Sequence, residues 1–163
     1  MSAHGVIYVH SAPPALCPHI EWAVAGVVGV PVSLPWVDQP ASPGSLRAEL
    51  SWQGRPGIAG AVTSALAGWN RLRFEATEDA SAGCDGTRYS YTPVLGTFTA
   101  VTGANGDILI PEGRLRAAMT LGAARTSLED ELARLLGQPW DDELEPFRCA
   151  AEGAPVRWLH ATG

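Results

Sequence analysis

Apolar residues across the first eighty positions change period in the order strand, helix, strand, strand, helix, strand. That alternation predicts an α+β chain whose residues 1–78 form a ferredoxin-like βαββαβ sandwich. Val6 to His10 is apolar on both faces, as a central strand should be. Ile20, Ala23, Val24, Val27 and Val28 then recur at helical spacing behind Pro18, and Gly29 with Pro31 closes the helix. The next strand, Val32 to Val37, contains Pro35, which cannot donate to a ladder and so places it at a sheet edge. Leu46, Ala48, Leu50 and Trp52 alternate with Arg47, Glu49 and Ser51, and Leu72, Phe74 and Ala76 alternate with Arg71, Arg73 and Glu75. Between them a helix near Pro56 carries Ile58, Ala61, Val62, Ala65, Leu66 and Trp69 on one stripe.

A polar link, Thr77 to Thr87, leads into a strand-rich α+β half, residues 79–163, expected to pack on the first as one compact unit. Its meander comprises Arg88 to Thr92, Gly96 to Thr102 and Asp107 to Ile110, the last pair joined through an Asn105-Gly106 turn. Pro111 suits the first position of a helix, and Ser127 with Asp130 reads as a capping box closed downstream by Gly137. Trp140, Leu144 and Phe147 share a face of a short acidic helix expected to break near Pro146, ahead of a last strand from Val156 to His160.

All eleven basic residues are Arg, so any mechanism that needs an amine side chain, such as a Walker lysine or a Schiff base, is excluded. A formal charge of −6 argues against nucleic acid, whose phosphates are met by clustered cations. Seven acids face one base between Glu129 and Glu145, whereas Arg47, Arg55, Arg71 and Arg73 face a single acid, Glu49. The start has no charged n-region followed by an apolar run, and no window has the length of a membrane span, so a cytoplasmic protein without membrane contact is expected. Cys17, Cys84 and Cys149 are odd in number and lack CxxC spacing, which indicates free thiols rather than disulfides or a zinc site.

Chemistry concentrates in His10-Ser11-Ala12-Pro13-Pro14-Ala15-Leu16-Cys17-Pro18-His19, which joins a central strand to a helix start. Pro18 disfavours helical geometry at Cys17, so Cys17 is expected at the N-cap, where the helix dipole would stabilise a thiolate, with His10 or His19 as base. A structural cap is the blander alternative. Arg88, Tyr89, Tyr91 and Asp107 form a second candidate ligand-binding cluster, in which the two tyrosines share a strand face and could line a groove. The run Asp141 to Glu145 lacks the ligand alternation of a calcium loop, and GxSxG, HExxH, GxGxxG and P-loop patterns are missing. No cofactor and no metal is expected.

The strings VIYVHSAPPALCPHIEWAVAGV, AELSWQG, GCDGTRYSYTP, TAVTGANGDILIPEGRLRAAM, PWDDELEPFR and APVRWLH resemble the actinobacterial family known as domain of unknown function 3145. The resemblance spans nearly the whole chain and implies an intracellular actinobacterial protein encoded near type II fatty-acid synthesis, hence an acyl carrier protein or a synthesis enzyme as possible partner. It assigns no catalytic residue. Because acyl carrier proteins are acidic, docking would require the arginines at 47, 55, 71 and 73, or Arg114 and Arg116. The leading expectation is a binding or regulatory module, with homodimerisation possible. The alternative is an enzyme acting on acyl thioesters with Cys17 as nucleophile.

Overall fold

The computed structural model describes residues 1–124 and 127–150; the expected strand from Val156 to His160 lies outside them. Strands β1 (Ala3–Ala12), β2 (Val37–Asp38), β3 (Leu46–Gly54), β4 (Arg73–Glu78), β5 (Gly86–Thr92), β6 (Gly96–Thr102) and β7 (Ile108–Leu109) build one sheet. Its spatial order is β2-β3-β1-β4-β5-β6-β7, with every neighbouring pair antiparallel. The helices are α1 (Cys17–Val28), α2 (Ile58–Leu66), α3 (Glu112–Ala124), α4 (Leu128–Leu135) and α5 (Gln138–Cys149), and a 3-10 turn, Pro14–Leu16, precedes α1. The chain is thus a mixed α+β protein around a seven-stranded antiparallel sheet. The polar link shortens to a hairpin in which β4 and β5 pair, so the sheet runs without interruption from the first half into the second.

Strand alternation sorts side chains onto two faces. On one, Ile7, Val9, Phe74, Ala76 and Tyr91 meet Ile20 and Val24 of α1 and Ile58, Ala59, Val62 and Leu66 of α2 in the main core. Each fully buried large apolar side chain there contributes on the order of 2 kcal/mol. On the other face, Tyr8 lies opposite Glu75, Glu75 opposite Ser90, and Ser90 opposite Phe98. Helix α5 covers this row, packing Trp140 on Phe98 and Ala100, with the Trp140 Nε1 donating to the Gly96 carbonyl at 3.0 Å. Gly137 precedes α5 at φ +79°, and a Cβ there would sit 2.6 Å from the Phe98 ring, so both conformation and space require glycine.

Two expected elements differ most. The second strand shrinks to Val37–Asp38, though it keeps its edge position, because Glu21 of α1 takes the Leu34 N–H at 2.7 Å and the Trp36 indole at 3.0 Å. With Pro31 and Pro35 lacking donors, that segment is held by a helix side chain instead of a ladder. Helix α5 does not break near Pro146 but runs through it to Cys149. Pro146 and Asp142, whose carbonyl loses its partner, are both exposed, so the gap opens on the solvent side. The Ser127 cap forms as expected, its hydroxyl accepting from the Asp130 N–H at 3.1 Å.

Candidate functional site

Beneath α5 lies a charged network that begins with Glu75, fully buried in the middle of β4. Its Oε2 meets His10 Nε2 at 2.6 Å and accepts from Arg148 Nε at 2.9 Å, while its Oε1 accepts from Arg148 Nη2 at 2.5 Å and from Ser90 Oγ at 2.8 Å. Asp141 bridges Arg148, at 3.1 Å, to Arg88, at 2.5 Å. Burial alone would raise the Glu75 carboxyl, but His10 and Arg148 together hold it down to about 2. For Arg148 burial likewise works against the charge, and Glu75 with Asp141 more than reverses it, so its pKa is raised. Gln39, also buried, donates to the His10 and Phe147 carbonyls at 2.7 and 3.1 Å and ties the strand to α5. Every Glu75 oxygen is engaged within the protein, which makes the network a fastening for α5.

A register shift in β1 between Val9 and Ser11 explains how consecutive residues join this face. His10 reaches Glu75, and Ser11 Oγ accepts from Arg73 Nη1 at 3.3 Å. Cys17 and His19 are not brought to them. Cys17 is the first residue of α1 rather than its cap, is buried in the main core, and donates its thiol to the Pro13 carbonyl at 3.6 Å. Burial first, and Glu21 second, push that thiol up, opposite to the lowered value expected at a helix start. His19 sits exposed on α1.

The second cluster is also divided. Tyr91 is in the main core with Phe74, and Tyr89 packs against that core, whereas Arg88 lies on the α5 face under Asp141. Asp107 is exposed in the β6–β7 turn, accepting from Asn105 Nδ2 at 2.6 Å. Two tyrosines at period two share a face as read, but it is the face opposite to Arg88.

At the end of β1 the protein opens a cleft of about 380 Å³, lined by Ser11, Pro13, Ser42, Pro43, Gly44, Ser45, Arg71, Arg73 and Pro93. Arg73 joins it to α5: its Nε lies 3.7 Å from Glu143 Oε1 and its guanidinium stacks 4.6 Å from the Phe147 ring centre. Arg71 is exposed and precedes β4 with φ +70°, outside the alternation that the sequence suggested. Ser42 and Ser45 belong to a tight turn in which Ser45 Oγ donates to the Ser42 carbonyl at 2.6 Å. A cleft of about 460 Å³ beside Thr77, Glu78, Asp79 and Arg88 is less available to ligands. Its Glu78 accepts from the Gly57 N–H, its Asp79 meets His4 at 3.2 Å and its Arg88 is held by Asp141. Of these clefts the first joins two arginines to hydroxyls.

The expected basic edge is split. Ala3 pairs with Gly54 and Ala12 with Leu46, so Arg55 lies at one end of β1, with Arg47, Arg71 and Arg73 at the other, roughly 30 Å away. Among the described residues no group of three or more His, Cys, Asp or Glu is placed to hold a metal ion, and no helix is long and apolar enough to cross a membrane.

Fold and cleft together define an α+β protein with an arginine-lined cleft at a strand end, beside the helix fastened over one face of its sheet. The family model described as protein of unknown function (DUF3145) matches residues 6–161, and the chain belongs to that family. No curated protein and no solved structure matches it.

Proposed function

We propose that the protein is a binding module that receives an anionic group in the cleft at the end of β1. The observation that carries this reading is the meeting of Arg71 and Arg73 with Ser11 and the Ser42–Ser45 turn in one opening. Guanidinium and hydroxyl donors at the mouth of a concave site suit an oxyanion, and charge-assisted bonds of this kind are roughly twice as strong as neutral ones. The strand order β4-β1-β3-β2 in the first half, with its two intervening helices, supports a ferredoxin-like core extended by the meander.

An acyl carrier protein is the partner this reading would accept, since an acidic surface is repelled by a chain of charge −6 except near Arg47, Arg71 and Arg73. The thiol-enzyme alternative loses weight from the setting of Cys17, whose thiol is buried, engaged with Pro13 and raised.

The test is an amide NMR titration with inorganic phosphate, acetate and glycerol 3-phosphate, then with a purified acyl carrier protein. Shifts concentrated at residues 11, 42–45 and 71–73 are expected. If every small anion leaves those resonances unmoved, the cleft is not a binding site; carrier-protein shifts elsewhere would remove that partner.

A further inference from the structure

Resting on the cleft as the binding site, we propose that Arg71 is its ligand-gripping residue and that the ligand is a phosphate ester. The first support is backbone strain. Among the described residues nine have positive φ; eight are glycines and the ninth is Arg71, at +70°. A side chain is disfavoured in that conformation, and Arg is not among the Asn, Asp and His types that most often tolerate it. Local folding would be served better by glycine, and strain retained at a cleft points to what the side chain does.

The second support is how the two arginines divide. Arg73 is anchored by Ser11, the Phe147 ring and the nearby Glu143 carboxylate, so its charge is partly compensated and its position set. Arg71 is exposed at the same cleft and forms no ion pair among the described residues. A carboxylate presents its two oxygens in one plane and with a single charge, whereas a phosphate ester offers oxygens in several directions with up to two charges and can take two guanidinium forks from different sides. Pro13, Pro43 and Pro93 supply rigid apolar walls for the organic part of an ester.

The experiment combines calorimetric titration and thermal unfolding of the full chain with Arg71→Gly and Arg71→Asn, the latter tolerating a left-handed backbone. Wild type should bind glycerol 3-phosphate at least tenfold more tightly than acetate, and both variants should lose tenfold or more of that affinity. Arg71→Gly should also melt about 2–4 °C higher, because glycine adopts that backbone conformation without strain. Glycerol 3-phosphate affinity within twofold of wild type in both variants overturns the role of Arg71 while leaving the cleft reading intact. Equal affinity for acetate overturns the phosphate class, and a lower melting point for Arg71→Gly overturns the strain argument. If wild type binds neither anion, the cleft reading itself falls.

Discussion

The two faces of one sheet are closed by different physics. Under α1 and α2 the seal is apolar: Phe74, Ile7, Ile20, Val62 and Leu66 exclude water without a charge among them. Under α5 a small apolar patch, Phe98, Ala100 and Trp140, is joined by Glu75, Arg148, Arg88, Asp141 and His10. Apolar packing is non-directional and tolerates compromise, whereas buried charges stabilise only when every partner is present and well placed. The α5 face is therefore the more specific and the more fragile of the two.

The difference should be greatest in Glu75→Leu, which strands Arg148 and His10 beneath the helix: urea unfolding should register a loss of about 3–5 kcal/mol. Replacing His10 and Arg148 by Leu and Met as well should recover most of it. A single variant that costs less than about 1 kcal/mol would mean α5 is not fastened by this network. On the apolar face Leu66→Ala should cost about 2–5 kcal/mol through the cavity it leaves, with no dependence on pH.

Acid should separate the faces further. Because the folded Glu75 carboxyl titrates at about 2, below its ordinary 4.5, its stabilisation is complete above pH 4.5 and is lost as pH falls from there toward 2. Urea midpoints should decline through that window in wild type and more shallowly in Glu75→Gln; parallel curves for the two would relocate the acid sensitivity. The smallest effect belongs to neither face. Ser127→Ala removes the α4 cap and should cost about 1 kcal/mol, readable as faster amide exchange in the first turn of that helix.

Much of the fold is legible in the sequence wherever its signals are local. The apolar stripe of α1, the alternation of β3 and the Asn105-Gly106 turn each depend on neighbours a few residues apart. The Ser127 cap was legible for the same reason. Alternation places Glu75 on a polar strand face with Arg73, but its partner Arg148 lies 73 residues away, and its cover, α5, contains Pro146, a residue that locally signals a helix break. A carboxylate in mid-strand followed much later by a lone arginine in an acidic helix is a signal only in retrospect. Local sequence suggests a loop site for His10 and Ser11 and a groove for Arg88; they lie instead in or beside the α5 network, and the β1 register shift next to His10 and Ser11 leaves no mark in composition.

The sequence by itself determined the mixed α+β class, the central place of β1, the edge place of β2 and the absence of lysine chemistry, since periodicity and residue type act over a few positions. Only the tertiary structure decided which polar residues meet. It separated Cys17 from His10 and His19, drew Glu75, Arg148 and Asp141 together, and set Arg71 and Arg73 beside the Ser42–Ser45 turn. A buried charge is stabilised by whichever partner the whole fold delivers to it, and that delivery depends on strand register and helix docking across the entire chain.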